Sequence, residues 1–190
     1  MKTFAIFGSH GVGKTTTITK IKSIHPEWKY ISESTRHIIP LLGYDDPYKY
    51  VADYGIAFYE NMIISQWCIL DKEYNIFLKN SKDTILVDRC PIDNFAYYLI
   101  HRNNEELKYE NILKKLTNYY INFISHFIYI PPDVFDLKPD KMQLKETQTL
   151  LDETIKRLLT SFEIHPYKVK SKSINSRAGE IIEFITNNST

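Results

Sequence analysis

Short apolar runs alternate along this chain with longer stretches in which apolar residues recur every three or four positions. Residues 4–7 are an unbroken apolar run ending at Gly8, which predicts a strand buried on both faces. Beyond Lys14, Ile18, Ile21 and Ile24 recur at helical spacing and Pro26 ends the pattern, so a helix is expected over 14–24. Residues 29–32 predict a second strand, followed by a short helix over 34–42 and a turn at Gly43. Asp46 offers an N-cap with Pro47 at the first helical position, opening an aromatic-rich helix that is expected to reach about residue 78 with a bend at Gly55. A third strand over 84–87 delivers Asp88 at its carboxyl end, and helices follow over 92–101 and 106–123. A fourth strand over 127–130 stops at Pro131-Pro132. After it come a polar stretch, a helix over 147–162, a strand over 167–169 and a closing helix over 179–186.

Strands alternating with helices imply right-handed crossovers and a parallel sheet. The expected architecture is α/β and three-layered, with about five parallel strands between helices. Ligands of such sheets sit beyond the carboxyl ends of the strands. Gly8, Glu33, Asp88 and Pro131 each follow a predicted strand closely, so all four are expected at one rim.

Composition narrows the picture without redirecting it. With 190 residues, 43% hydrophobic and 25% charged, the chain suits one domain, 1–190. The formal net charge of +1 argues against non-specific nucleic-acid binding, leaving a local basic groove as the route to such a partner. Cys68 and Cys90 fit neither a metal-ligand spacing nor a disulfide framework, which favours a reducing compartment. No stretch reads as a signal peptide or membrane span. The expectation is a cytoplasmic protein without a membrane partner; a homodimer is compatible with the sequence.

The strongest chemical signal is Gly8-Ser9-His10-Gly11-Val12-Gly13-Lys14-Thr15, a complete G-x-x-x-x-G-K-[ST] pattern between a predicted strand and a predicted helix. Its glycines let the backbone curl so that successive N–H groups face phosphate oxygens, and the helix N-terminus adds its positive end. Lys14 is expected at the β- and γ-phosphates of ATP, and the Thr15 hydroxyl on Mg²⁺, with Thr16 beside it. His10 occupies a variable position and is expected to be an exposed bystander. Asp88, at the end of the neighbouring strand, is placed to hold Mg²⁺ through water, and Arg89 to meet a phosphoryl group gaining charge. The alternative for this pair is an inert strand-end ion pair.

Together with Asp88-Arg89-Cys90-Pro91-Ile92-Asp93, this loop resembles the P-loop kinases of nucleosides and nucleotides, a group that includes thymidylate, deoxynucleoside and ribosylnicotinamide kinases. The D-R-x-P-x-D form before an aromatic helix (Phe95, Tyr97, Tyr98) looks most like the ribosylnicotinamide kinase branch and its phage relatives. Glu33-Ser34-Thr35-Arg36 is similar to that branch's E-x-x-R. The resemblance implies a P-loop NTPase fold with a lid, over about 133–146. Related enzymes often place an arginine there, whereas this stretch has Lys138, Lys141 and Lys145 and no Arg. Either a lysine, Arg89 or Arg157 stands in, or catalysis is slow.

For the acceptor, Glu33 is the candidate general base. If the acceptor is itself a phosphate, Glu33 would instead bind a sugar hydroxyl or outer-shell Mg²⁺, and a surface pair with Arg36 at i,i+3 is the bland alternative. Asp93 either binds the acceptor or caps the following helix. Gln66 resembles a base-recognition position of deoxynucleoside kinases; Phe58, Tyr59 and Trp67 near it either stack on a base or belong to the core. The segment around Ser176-Arg177 resembles the loop that packs on adenine, with Arg177 stacking there. Arg36, Arg89 and Arg102 suit an acceptor phosphate and Glu33 an acceptor hydroxyl. The expected activity is therefore ATP- and Mg²⁺-dependent phosphorylation of a nucleoside or nucleoside monophosphate, leaning to a deoxy form. A kinase acting on a nucleotide or modified base within DNA, and a nucleotide-dependent ATPase or GTPase switch, are the alternatives.

Overall fold

The central strand is β1, Lys2–Phe7, and its neighbours on either side run parallel to it. A computed structural model describes residues 2–33, 39–45, 47–55, 64, 72, 84–102, 107–132 and 145–189. Its other strands are β2, Lys29–Ile31; β3, Thr84–Asp88; β4, His126–Tyr129; and β5, Tyr167–Lys168. The sheet order is β2-β3-β1-β4-β5, with every pairing parallel. Strand order reverses at β1, so a crevice opens at the carboxyl ends of β1 and β3, where ligands of doubly wound sheets sit.

Alternation along the strands assigns two faces. Phe4, Ile6, Leu86, Ile128 and Ile130 pack with Ile18 and Ile21 of α1, Lys14–Ile24, and with Ala178, Ile181 and Ile185 of the C-terminal helix. Ala5, Phe7, Ile85, Val87 and Tyr129 turn the other way, toward Phe95, Leu113, Leu151 and Ile155. Those four lie on α3, Pro91–His101; α4, Leu107–Ile121; and α5, Lys145–Ser161. The three-layer α/β architecture expected from the sequence is the one observed. Phe4, Ile6 and Phe7 are each 0% exposed, and each such burial contributes about 1.5–3 kcal/mol, so β1 is the seam joining both cores. Behind the sheet, the Tyr129 hydroxyl donates to the buried Asp152 of α5, which also pairs with Lys156 at 2.7 Å.

Several boundaries differ from expectation for local reasons. The C-terminal helix α6, Ile174–Asn188, starts five residues before Gly179 because the Ser173 hydroxyl caps it, accepting the Ser176 N–H at 3.1 Å. Nothing lies within 4 Å of where a Gly179 side chain would project, so that glycine sits inside the helix without packing need. Of the long aromatic helix, α2, Pro47–Tyr54, is described; it ends where Gly55 adopts φ 54. The rest of that stretch lies outside the described residues, as does most of the short helix expected over 34–42.

Candidate functional site

β1 delivers the chain directly into the glycine loop. Gly8 has φ 145, and a Cβ there would overlap the Ile130 carbonyl oxygen at the end of β4, so only glycine fits. Gly11 and Gly13, with φ 75 and 78, curl the following segment into the left-handed turns of an anion-binding nest. Val12 sends its side chain into the core at 0% exposure and presents only backbone to the loop. Gly13 then leads into α1, its carbonyl accepting both the N–H and the hydroxyl of Thr17, at 3.0 and 2.9 Å.

The Lys14 ammonium folds back over this loop and donates to the carbonyls of Gly8 and Ser9, both at 2.8 Å. Burial, reinforced by the nearby Arg89 charge, lowers its pKa to about 8. Beside it the Thr15 hydroxyl donates to Asp88 Oδ2 at 3.0 Å. The other carboxylate oxygen, Asp88 Oδ1, is buried without a hydrogen-bond partner among the described residues. Burial pushes the Asp88 pKa up, against the pull of Arg89 and Lys14. A buried orphan carboxylate oxygen beside a hydroxyl, next to a phosphate nest, is a donor set that fits Mg²⁺. That ion usually takes one or two protein oxygens and completes its shell with water and phosphate. Thr15 and Asp88 are the residues that would hold it.

Along the same rim, side chains rather than backbone build the second half of the site. Arg89 follows β3 at φ 76, a conformation held by its N–H donating to the Ile6 carbonyl at 3.0 Å. Its guanidinium pairs with Glu33 at the end of β2, lies 3.5 Å from Asp93 Oδ2, and sits 5.3 Å from the centre of the Tyr97 ring. Glu33 is buried rather than at the surface, and Arg36, its expected alternative partner, lies outside the described residues. Asp93 Oδ1 accepts the Cys90 N–H at 2.9 Å, closing a capping box with Pro91 at the first turn of α3. Asp93 is therefore a cap with one carboxylate oxygen left facing Arg89. Burial raises its pKa to about 6, with Arg89 and Lys14 opposing.

Two expectations are corrected by the packing around the loop. His10, expected to be exposed, is 7% exposed, because α3 and α5 both close on it. Its Nδ1 lies 3.1 Å from the Tyr97 hydroxyl, and its carbonyl accepts the Gln148 amide at 2.7 Å. Burial, with Lys14 and Arg89 adding to it, lowers its pKa to about 4, so the imidazole is neutral at pH 7. Arg177, expected to stack on adenine, is fully buried at the start of α6. It donates to the Val12 carbonyl at 2.8 Å and to the Lys172 carbonyl at 3.1 Å, with Thr17 Oγ1 at 3.4 Å. A side chain enclosed on all sides supports the loop from behind and presents no face to a base.

The remaining candidates divide by place. Thr16 is an exposed residue of α1. Arg102 ion-pairs with Glu110 at 3.1 Å, linking the end of α3 to α4. Arg157 is exposed on α5, nine residues or about 14 Å of helix beyond Gln148, which rules it out as a stand-in at the loop. Lys145 is exposed at the first position of α5. Arg36, Gln66, Phe58, Tyr59, Trp67, Lys138 and Lys141 lie outside the described residues. Sequence reasoning missed the roles of Tyr97 and Gln148. Tyr97 carried one signal, its place one helical turn beyond Asp93, whereas Gln148 is an ordinary polar helix position and carried none.

A strand-loop-helix phosphate nest on the middle strand of a parallel sheet, with an acidic residue ending the next strand, defines a P-loop nucleotide-binding protein. The fold is shared with solved P-loop kinases of nucleotides. Residues 3–177 match the family described as AAA domain, and the chain belongs to that family. Among solved structures it is similar to the NadR protein in complex with NR, with TM-score 0.74 and 17% identity over 99% of this chain and 50% of that one. The chain thus spans about half the length of the NadR protein. It is also similar to a thymidylate kinase from Candida albicans, with TM-score 0.63 and 14% identity over 98% of this chain and 92% of that one. The YorR protein of Bacillus subtilis in complex with phosphorylated GDP gives TM-score 0.56 and 13% identity over 97% and 96% of the two chains. No curated protein matches the sequence.

Proposed function

We propose that the protein is an ATP- and Mg²⁺-dependent phosphotransferase whose acceptor is a nucleoside or nucleoside monophosphate, in deoxy form. The observation carrying this reading is the buried Glu33–Arg89 pair at the rim of the phosphate nest, a carboxylate and a guanidinium side by side. ATP with its metal ion supplies the transferable phosphoryl group. The Gly8 to Thr15 loop binds the donor phosphates through backbone N–H groups, and Lys14 leaves its two carbonyl partners for phosphate oxygens. Glu33 accepts the proton of an acceptor hydroxyl, and Arg89 stabilises the charge spreading over the transferring group. An acceptor that is already a phosphate needs no base. Arg89 then orients that phosphate, and Glu33 holds Arg89 in place.

Solved proteins of this fold lend support. The NadR protein is found with NAD and AMP-PNP, and another neighbour is a thymidylate kinase. The test is ADP and GDP release from ATP and GTP across a panel of nucleosides and monophosphates. One acceptor should raise turnover far above the rate with water, and Lys14→Ala should remove most of that increment, by about 10²–10³-fold, while the protein stays folded. Turnover equal with and without every acceptor would refute the kinase reading in favour of a nucleotide-dependent switch.

A further inference from the structure

The glycine loop is gripped from both layers of the sandwich. From the α5 side, Gln148 Nε2 donates to the His10 carbonyl at 2.7 Å. From the α6 side, Arg177 Nη1 donates to the Val12 carbonyl at 2.8 Å. The two helices belong to opposite faces, α5 packing with Phe7 and Val87 and α6 with Phe4 and Leu86.

A trans peptide is planar, so its carbonyl and the following N–H point in opposite directions. Fixing the His10 carbonyl toward α5 therefore aims the Gly11 N–H away from α5. Fixing the Val12 carbonyl toward α6 aims the Gly13 N–H away from α6. Each aimed residue is a glycine in left-handed conformation, φ 75 and φ 78. Neither N–H donates to any group among the described residues. A glycine turn of this kind is soft, because glycine populates several backbone basins at similar cost. Something outside the loop must choose the basin.

We infer that Gln148 and Arg177 are positioning residues that set the phosphate-binding direction of the Gly11 and Gly13 N–H groups by holding the preceding carbonyls. This rests on the reading that the loop binds phosphates. Arg177 is the rigid member, enclosed by Val12, Thr17 and the carbonyls before α6. Gln148 is half-buried and reaches the loop from the first turn of α5. The long, unbranched Gln side chain is the adjustable member, and losing it frees a single peptide.

The test compares wild-type protein, Gln148→Met and Gln148→Lys, measuring affinity for Mg·ADP, Mg·GDP and inorganic tripolyphosphate by calorimetry. Urea unfolding is measured in parallel. Met keeps the length and loses the donor; Lys keeps a donor. Gln148→Met should weaken all phosphate probes that bind wild type by a common factor of about ten, the loss expected for one misdirected hydrogen bond to a charged group. Gln148→Lys should stay within about threefold of wild type on the same scale. Undiminished binding by Gln148→Met would overturn the proposal, as would Gln148→Lys losing as much as Gln148→Met. A wild-type protein that binds none of the probes would overturn the phosphate reading itself, and the proposal with it. That outcome is distinguished by being visible before any variant is made.

Discussion

The two halves of the rim are made of different material. On the proposed donor side the groups presented are backbone N–H donors in a glycine turn, and side chains hold its carbonyls: Lys14 on Gly8 and Ser9, Gln148 on His10, Arg177 on Val12. On the proposed acceptor side the groups presented are side chains, Glu33, Arg89, Asp93 and Tyr97, mutually paired and almost closed to water. A backbone site recognises what every nucleoside triphosphate shares. A side-chain site can be retuned one residue at a time, and this is where a choice of acceptor would be written.

The contrast breaks most sharply at Gly8. Alanine there must adopt φ 145 and overlap the Ile130 carbonyl, so Gly8→Ala should cost about 4 kcal/mol of stability and abolish nucleotide binding. Thermal melts with and without ADP check both parts; a stable, ADP-responsive variant would show that the donor half tolerates side chains after all. Next in size, Glu33→Gln should slow transfer to a hydroxyl acceptor by about 100-fold, equivalent to about 2.7 kcal/mol. A phosphate acceptor should lose much less. The same variant kinetics thus decide which kind of acceptor the side-chain half was built for, and a strong loss with a phosphate acceptor would refute the base assignment.

The smallest effect lies in pH. Burial holds the Asp93 pKa at about 6 in the folded protein, above the usual carboxylate range, so the folded state binds its proton more tightly. That contribution is favourable below about pH 4 and is lost as pH rises to about 6. Wild type should therefore lose about 2 kcal/mol relative to Asp93→Asn across that window, other titrating groups cancelling in the difference. Urea unfolding of both proteins at pH 4, 5, 6 and 7 measures it. A constant difference would mean that Arg89 keeps Asp93 ionised throughout.

The same division explains what could be read from the chain. The glycine loop was legible because a turn of this shape admits few residues, and its strand and helix could be read from Phe4, Ile6, Ile18 and Ile21. The three layers followed from alternation alone. Helix ends were less legible: Ser173 overrode Gly179 as the start of α6, since a hydroxyl in the right place outweighs a later hydrophobic stripe. The side chains that join distant elements were the least legible. His10 looked exposed because nothing nearby in sequence covers it; Tyr97 and Gln148, 87 and 138 residues away, do. Arg177 resembled an adenine-stacking residue, and its buried role escaped notice because its acceptors are carbonyls 165 and 5 residues distant. Periodicity reports what faces a core and is silent about which carbonyl a long side chain will find.

Arg89 carries a consequence for how this site can change. Its backbone, at φ 76 with the N–H tied to Ile6, favours glycine or asparagine; its neighbours, two buried carboxylates, require a cation. No residue type satisfies both demands well. Replacement by glycine relaxes the chain but leaves Glu33 and Asp93 facing each other, and lysine keeps the charge without the fork or the backbone ease. Every single step away from arginine is downhill in one respect or the other. Divergence at this rim therefore has to begin with the carboxylates and reach position 89 last.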